Sequence, residues 1–358
     1  MMKKNECRKG EPDQGYYLCI SREKSYNGHT HAVVNFMNII ETKNLTKSYD
    51  ELIAVDNLNL QIEEGEIFGL LGPNGAGKTT TLLMLTTLKP PTSGTALINT
   101  FDIVRQPDKV RKSIGIVFQD PSSDEILTGY ENLKLHGWLY DMPDKLREER
   151  IKEVLELVDL TDRKNDRVKK YSGGMRRRLE LARGLMHHPK ILFLDEPTLG
   201  LDPQSRDYIW KYILKLAKEK KITIIITTHY MDEADKLCNR LAIIDHGKIV
   251  VMGVPKDLKK ELGGDIIRLK AENLSIDGLK KLYYVKNISN CDGEICLTVE
   301  NANEHLQEIL KTVGKVDSVE IRSPTLDDVF LHYTGRGMRE DRPEGGWAEK
   351  AMNARSKE

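Results

Sequence analysis

The sequence predicts an α/β fold that is followed by a smaller α+β unit near the C-terminal end of the chain. Three features of the sequence support this prediction. An apolar run near residue 67 leads into a glycine-rich loop and a helical pattern, and a second apolar run near residue 191 is followed by acidic residues. Between residues 265 and 321, strand and helix patterns alternate in the order β-α-β-β-α-β.

The glycine-rich loop matches the pattern G-x-x-x-x-G-K-[ST] at every position. A buried strand is predicted before it at residues 67–71, and a helix after it at residues 78–88. Glycines allow backbone N–H groups to surround phosphates, so the loop by itself predicts a phosphate-binding site of the P-loop NTPase type; the alternative is a turn without a ligand. The predicted phosphate-binding residues are Gly72, Pro73, Asn74, Gly75, Ala76, Gly77, Lys78, Thr79 and Thr80. The Lys78 ammonium is expected on the β- and γ-phosphates and the Thr79 hydroxyl on Mg²⁺.

Two adjacent acidic residues follow the second apolar run, which reads as a central parallel strand at residues 191–194. Ligands of open α/β sheets gather at the carboxyl ends of the strands. Asp195 is therefore expected to hold Mg²⁺, and Glu196 to act as the general base that orients and deprotonates the attacking water. The alternative for both is a pair of surface carboxylates that begin a turn.

Five further markers occur in a fixed order along the chain. They are Tyr49, Gln119, Ser172-Gly173-Gly174, Asp202 in Gly-Leu-Asp-Pro, and His229 after the apolar run 222–226. With the two motifs above, they make residues 37–262 resemble the nucleotide-binding subunit of ABC transporters. The chain departs from the usual pattern of that family at Tyr171, where leucine is common, and at Met175, where glutamine is common.

The resemblance implies a role for each marker. Tyr49 would stack on adenine, with an ordinary half-buried strand tyrosine as the alternative. Gln119 would contact Mg²⁺ and the attacking water, and His229 would hydrogen-bond the γ-phosphate. Ser172, Gly173 and Gly174 would bind the γ-phosphate that is held by a second copy of the chain, with Asp202 contacting across the seam. The neighbouring run Arg176-Arg177-Arg178 is expected to be a solvated helix face, with a direct phosphate or interface role as the alternative.

The resemblance also implies partners and a location. Two copies would form a head-to-tail dimer with ATP between them, and an integral-membrane permease on a separate chain would carry the transport path. The permease would insert a coupling helix into a groove formed by a helical subdomain, residues 120–186, and the Gln119 loop. The protein would then be cytoplasmic and peripheral at the inner face of the cell membrane.

The composition argues against several other classes of protein. The 358 residues carry a formal net charge of zero, which argues against a dedicated nucleic-acid-binding protein and predicts no nucleic-acid partner. No apolar run approaches the length of a bilayer span. The five cysteines lack metal-ligand spacing, so reduced thiols are expected.

Four segments are predicted along the chain. Residues 1–36 show no regular periodicity and are expected to be a disordered or spurious extension, with Met37 as the alternative start. Residues 37–262 form the ATPase domain, and residues 265–334 form a ferredoxin-like accessory domain for dimerisation or regulation. Residues 335–358 are expected to be a disordered tail. The end of the accessory domain, Pro324 to Phe330, resembles the drug-exporter branch of the family, whose daunorubicin-resistance ATPases are the best-known example.

These observations predict an ATPase that energises an exporter of drug-like or lipid-like compounds. Two other classes stay open from the sequence. One is a soluble ABC-type ATPase that acts on ribosomes or DNA, and the other is an ATP-dependent regulatory switch. The first class usually carries coiled-coil or zinc insertions, and the sequence shows neither. A switch without turnover would be expected to lack Glu196 or His229, and both are present.

Overall fold

A computed structural model describes residues 6–9, 17–24, 30–35, 38–270, 276–291, 294–314 and 316–335. The chain divides into two compact units, each assembled from separate stretches of sequence. The first comprises residues 1–69, 77–227 and 246–248, and the second comprises residues 70–76, 228–245 and 249–358. Among the described residues, no helix is both long enough and apolar enough to cross a bilayer.

The N-terminal residues contain three strands that the sequence did not predict. They are β1 (Glu6–Lys9), β2 (Tyr17–Lys24) and β3 (Thr30–Asn35), and they pair as an antiparallel sheet in the order β1-β2-β3. Residues 17–20 and 32–34 are short apolar runs of residue types that favour strands. The rest of the predicted extension lies outside the described residues.

The following strands and helices alternate along the chain to residue 261. The strands are β4 (Asn38–Tyr49), β5 (Leu52–Leu58), β6 (Gln61–Glu63), β7 (Ile67–Leu71), β8 (Ser93–Ile98), β9 (Phe101–Asp102), β10 (Ile114–Val117), β11 (Ile191–Asp195), β12 (Thr223–Thr228), β13 (Arg240–Asp245) and β14 (Lys248–Gly253). The helices are α1 (Lys78–Leu85), α2 (Pro107–Ser113), α3 (Gly129–Leu139), α4 (Asp144–Leu157), α5 (Gly173–Leu185), α6 (Pro203–Lys220), α7 (Met231–Leu237) and α8 (Pro255–Glu261).

The first unit contains a parallel sheet in which strands run in the order β10-β11-β12-β7. Phe193 at the centre of β11 pairs with Ile116 of β10 and Ile225 of β12. Every residue of β7, β11 and β12 is buried, because helices and loops cover both faces of such a sheet. The strands predicted around residues 67–71, 191–194 and 222–226 are thus confirmed. A second sheet, mainly antiparallel, has the order β5-β4-β8-β9, with β6 paired to β4.

Helix α1 is shorter than the sequence predicted. It ends at Leu85 rather than near Leu88, because Thr87 adopts a left-handed φ of 63° that does not continue a right-handed helix. The prolines at 90 and 91 then favour extended chain.

Helices α3, α4 and α5 lie in the region predicted to be a helical subdomain. Helix α3 begins at a capping box in which Thr128 and Glu131 bond each other's backbone N–H groups. Helix α4 buries Ile151, Val154 and Leu155 and exposes Glu149, as its amphipathic pattern predicted. Helix α5 begins directly after Ser172.

The C-terminal residues of the second unit form the predicted ferredoxin-like sandwich. Its elements are β15 (Asp265–Lys270), α9 (Ile276–Leu279), β16 (Val285–Cys291), β17 (Glu294–Val299), α10 (Ala302–Val313), β18 (Ser318–Arg322) and α11 (Leu326–Thr334). The antiparallel strand order is β16-β17-β15-β18, so Ile267 of the central strand β15 pairs with both Leu297 and Ile321. Helix α10 ends at Gly314 with a φ of 86°, as predicted.

Two details of this region differ from the prediction. Helix α11 was not predicted, and a second capping box between Thr325 and Asp328 starts it, with Arg322 binding the Asp328 carboxylate. Cys296 is disulfide-bonded, so the expectation of reduced thiols is wrong for this residue. The predicted turn at residues 292–293 and the tail beyond Gly335 lie outside the described residues.

Candidate active site

The glycine-rich loop connects strand β7 to helix α1, as the motif requires. Gly72 approaches the backbone so closely that a Cβ atom there would lie 2.2 Å from the Ile244 carbonyl oxygen, and its N–H donates to the Thr228 carbonyl at 3.3 Å. Gly77 has a φ of 104°, which strains any other residue type. The loop therefore needs its first and last motif glycines for shape, and it leads directly into the N-terminus of α1.

Lys78 and Glu196 form a buried ion pair at the start of α1. The Lys78 Nζ lies 3.5 Å from the Glu196 Oε1, and the two side chains are 5% and 7% exposed. Burial lowers the pKa of Lys78, although Glu196 and Asp195 oppose this by attracting the ammonium. Removing both charges from water is costly unless they meet another charge, so each group offsets the burial cost of the other.

Asp195 accepts hydrogen bonds from two threonine hydroxyls. Thr79 donates to its Oδ1 at 3.2 Å, and Thr227 at the end of β12 donates to the same atom. Burial raises the pKa of Asp195, and the neighbouring Glu196 carboxylate raises it further, whereas the two hydroxyls and Lys78 lower it. The structure thus brings Lys78, Thr79, Asp195 and Glu196 together, as the two sequence motifs predicted.

The backbone of Glu196 is held in an uncommon conformation. Its φ is 47°, in the left-handed region that disfavours residues with a Cβ by about 1 kcal/mol or more. Its N–H donates to both the carbonyl and the hydroxyl oxygen of Thr227, each at 3.1 Å. This turn directs the Glu196 side chain away from the strand direction and toward Lys78.

Arg177 of helix α5 also contacts this turn, so the prediction that Arg176, Arg177 and Arg178 form a solvated helix face is wrong for its central member. Arg177 is 6% exposed. Its guanidinium donates to the carbonyls of Asp195 and Glu196 at 3.0 Å each. The sequence shows three equivalent arginines, and the helical rotation of 100° per residue makes only one of them face inward.

The loop after strand β10 carries Gln119, whose side chain is exposed. Helix α5 fixes this loop from one face. Arg177 donates to the carbonyl of Gln119 at 3.4 Å, and Glu180 accepts from the Ser122 hydroxyl at 3.0 Å and the Ser123 N–H at 2.8 Å. The backbone of the loop is thus anchored at both ends, while the Gln119 side chain points outward.

Ser172, Gly173 and Gly174 lie at the N-terminus of α5. Ser172 is the N-cap and accepts from the Met175 N–H at 3.3 Å. Ser172 and Gly173 are exposed, unlike the buried group around Lys78. A helix N-terminus with bare N–H groups attracts anions, so this exposed end is suited to an anion.

Two neighbours support that helix end. Tyr171 is buried, and its hydroxyl donates to the Arg163 carbonyl at 2.8 Å. Asp202 caps helix α6 by accepting from the Ser205 N–H at 2.9 Å and the Ser205 hydroxyl at 2.7 Å. A Cβ atom at Gly174 would lie 2.9 Å from that same hydroxyl, so the Ser172 and Asp202 segments pack against each other within the chain.

The remaining two predicted residues lie at strand ends. Tyr49 ends strand β4 and is half-buried, with Lys47 and Lys89 placing their ammonium groups 5.3 and 4.9 Å from its ring centre. The electron-rich face of an aromatic ring attracts such cations. His229 follows β12 and lies 4.1 Å from the Tyr230 ring, measured between ring centres.

Sequence reasoning missed Arg177 and Thr227 as parts of this site. Thr227 could have been found, because a hydroxyl residue at the carboxyl end of a buried apolar strand faces the same edge as Asp195. Arg177 carries no such signal, since its inward direction depends on where helix α5 lies in the fold.

Comparison with known proteins supports the family that the sequence motifs resemble, over most of the chain. Residues 55–199 match the family model "ABC transporter", and residues 253–334 match "ATP-binding protein DrrA1-3-like, C-terminal domain". The chain is 35% identical to the linearmycin resistance ATP-binding protein LnrL of Bacillus subtilis, over 84% of this chain and 100% of that protein. It is 40% identical to the daunorubicin resistance ATP-binding protein DrrA2 of Streptomyces coeruleorubidus, over 83% of this chain and 95% of that protein.

A solved structure is similar as well. It is the dimeric post-hydrolysis state of an ATP-binding cassette bound to ADP and phosphate, with a TM-score of 0.55 and 30% sequence identity. The likeness covers 60% of this chain and 98% of that one.

Proposed function

This chain belongs to the ABC transporter family as an ATP-binding subunit with ATPase activity, and we propose that it energises an exporter whose membrane-spanning path is a separate permease chain. The observation that carries this proposal is the buried group of Lys78, Thr79, Asp195 and Glu196. It joins a phosphate-binding lysine to two metal-binding oxygens and a candidate base within one site. We also retain residues 37–262 and 265–334 as the proposed domain bounds.

The proposed reaction is the in-line attack of water on the γ-phosphate of ATP, which releases ADP and phosphate. The loop from Gly72 to Gly77 and the start of α1 surround the phosphates, with Thr80 beside them, and Lys78 leaves Glu196 to bind the β- and γ-oxygens. Glu196 then orients the water and accepts its proton. His229 hydrogen-bonds the γ-phosphate, and Tyr49 stacks on the adenine.

The residues of the site fit Mg²⁺. Thr79 and Asp195 present a hydroxyl and a carboxylate oxygen within 3.2 Å of each other, and hard oxygen donors are what Mg²⁺ prefers. Gln119 would supply a third oxygen from the adjacent loop. When bound, Mg²⁺ neutralises negative charge on the β- and γ-phosphates. A magnesium site that relies on substrate phosphates needs few protein carboxylates, so one aspartate is sufficient.

We propose that the site is completed by a second copy of the chain in a head-to-tail dimer. Ser172 and Gly173 are exposed at the start of a 13-residue helix, and the phosphate they suit would come from the partner. Asp202 lies beside them through Ser205 and would contact the partner across the seam. The similar dimeric structure with ADP and phosphate supports this arrangement.

The proposed permease surface lies on helices α3 and α4. Leu135, Trp138 and Leu139 of α3 are 42%, 53% and 72% exposed, and Leu146 of α4 is 41% exposed. Large apolar side chains grouped on two adjacent helices favour a protein partner over water. A permease that docks there would place this chain in the cytoplasm, at the inner face of the cell membrane.

The transported compound is proposed to be drug-like or lipid-like. This rests on the relatives, whose names assign linearmycin and daunorubicin resistance to them, and on the match of the C-terminal domain to the same group.

Co-purification with the permease tests the proposal. The chain is co-expressed with the multi-span membrane protein of its gene neighbourhood, and ATP hydrolysis is measured with and without that protein in lipid vesicles. We expect a stable complex and turnover that is several-fold faster than that of the chain alone. Trp138→Ser should reduce the stimulation, and Leu52→Ser, at a residue that is 68% exposed in the β4–β5 hairpin, should not. A chain that binds ribosomes or nucleic acid and no membrane protein would contradict transport.

A further inference from the structure

The guanidinium group of Arg177 is surrounded by backbone carbonyls from two separate segments. It donates to Asp195, Glu196 and Pro197 at the end of β11, at 3.0, 3.0 and 2.6 Å. It also donates to Phe118 and Gln119, the residues that follow β10, at 2.5 and 3.4 Å. One side chain of helix α5 therefore fixes the two strand ends between which the chemistry is proposed to occur.

These bonds use all three nitrogens of the side chain. A guanidinium has five N–H groups in a fixed planar fork. Nε donates to Pro197, one terminal nitrogen to Asp195 and Glu196, and the other to Phe118 and Gln119. No other side chain offers five donors in one plane, so lysine and glutamine cannot reproduce the full set.

Arg177 holds the part of the chain that is under strain. Glu196 has a left-handed φ of 47°, and such conformations persist only where surrounding contacts fix them. The three carbonyls bound by Arg177 are those of Glu196 and of the residues before and after it. The guanidinium thus favours the peptide arrangement that turns the Glu196 side chain toward Lys78.

Arg177 also differs from its two neighbours in α5. Arg176 donates to the Glu125 carboxylate and to the Lys169 carbonyl at 3.4 Å, and its side chain is 28% exposed. Arg178 donates to the carbonyls of Val158 and Asp159 at 3.1 Å. These bonds lie within the helical region, so the neighbours provide matched controls of the same residue type and charge.

We infer that Arg177 is a positioning residue for ATP hydrolysis, which holds Glu196 and the Gln119 loop in register with each other. This inference rests on the proposed role of Glu196 as the base. Helix α5 also carries Ser172 and Gly173 at its N-terminus. Arg177 therefore connects the helix that would bind the partner's phosphate with Glu196, the proposed base of its own chain.

The test compares Arg177→Gln and Arg177→Lys with Arg176→Gln in the full-length chain. ATP affinity is measured with a fluorescent ATP analogue, and turnover under saturating ATP, below the unfolding temperature of each variant. Arg177→Gln should lower turnover by about 10- to 100-fold, because small displacements of catalytic groups have effects of this order, with ATP affinity changed less than about threefold. Arg177→Lys should be intermediate, and Arg176→Gln should match the wild type. Turnover of a folded Arg177→Gln chain equal to that of Arg176→Gln would overturn the inference.

A double variant separates positioning from a general effect on folding. If Arg177 acts through Glu196, adding Arg177→Gln to Glu196→Gln should leave the residual single-turnover rate unchanged within about twofold. Independent, multiplied losses would contradict the inference. If Arg177→Gln does not fold, the same cycle with Arg177→Lys decides the question. Wild-type turnover in Glu196→Gln alone would instead remove the proposed base and leave Arg177 with no residue to position.

Discussion

The Lys78 ammonium lies 3.5 Å from the Glu196 carboxylate, and both groups are buried. We propose that the two groups attract each other before ATP binds, and that Lys78 would then contact phosphate oxygens while Glu196 would contact water. The ion pair would then hold the proposed base in place until ATP binds.

Glu196→Gln separates these two roles. The amide removes the proton acceptor, so turnover should fall by about 10²-fold or more. ATP affinity should be kept or improved, because Lys78 no longer has to leave a carboxylate. Single-turnover hydrolysis and equilibrium ATP binding measure the two effects, and ATP should trap the variant as a dimer in size-exclusion chromatography. Glu149→Gln, on the exposed face of α4, is the control. Unchanged turnover in Glu196→Gln would remove the residue from the base role.

Asp195→Asn should stabilise the chain against unfolding in buffer without ATP, while it abolishes magnesium-dependent hydrolysis. Burial raises the pKa of Asp195, so its contribution to stability is present below the unfolded pKa and is lost as pH rises through the folded value. At neutral pH the ionised carboxylate is therefore a cost that the neutral amide avoids. Urea unfolding at pH 7 should show the gain, and the difference should shrink toward pH 4. A variant less stable than wild type at pH 7 would contradict this account of the site.

Tyr171→Phe should destabilise the chain without weakening ATP binding. The mutation removes the buried bond from the Tyr171 hydroxyl to the Arg163 carbonyl, which is worth about 1 kcal/mol. Tyr130→Phe is the control, since its hydroxyl bonds the exposed Glu148 carboxylate. Urea denaturation of both variants compares the losses. Equal losses would show that the Tyr171 hydroxyl contributes nothing beyond an exposed bond.

The helical region should lose stability on mild acidification. Burial lowers the pKa of His136 to about 3 and that of His187 to about 4, with Arg183 acting further on His136 and Arg150 on His187. Both imidazoles are thus neutral when folded, and their contribution is present above the unfolded pKa of about 6.5 and lost as pH falls toward the folded values.

Urea unfolding between pH 7.5 and 5 measures this loss. Each histidine should lower the free energy of unfolding by up to about 1.4 kcal/mol for each pH unit below 6.5. Solvent reaches the half-buried His136, so its effect should be smaller than this limit. His136→Phe should flatten the profile, whereas the exposed His246→Phe should leave it unchanged. A profile of equal slope in wild type and His136→Phe would exclude the His136 imidazole as a cause.

The sequence predicted the local motifs well, because each depends on neighbours along the chain. The β7-loop-α1 unit and the ferredoxin-like strand order, for example, follow from glycine spacing and periodicity. The inward position of Arg177 and the left-handed turn at Glu196 could not be predicted, since each depends on contacts between helix α5, strand β11 and the β10 loop that are far apart in sequence. Helix α11 was not predicted, because Thr325 and Asp328 were interpreted only as part of a family resemblance and not as a capping box.

If the active site is shared between two copies, a chain that has lost its exposed half-site should be rescued by a partner copy that retains it. Gly173 is exposed, and a Cβ atom there would have no contact closer than 3.7 Å, so Gly173→Asp should fold normally while its charge repels the partner's phosphate. Gly173→Asn, of equal size, controls for bulk and should keep more activity.

The most direct test mixes Gly173→Asp with Lys78→Ala, each of which should be nearly inactive alone. In a mixed dimer, one site combines the intact Lys78 of the first variant with the intact Ser172 and Gly173 of the second. An equal mixture should recover about a quarter of the wild-type turnover, because half of the dimers are mixed and each has one working site. Full activity of Gly173→Asp alone, or no recovery on mixing, would contradict an active site divided between two copies.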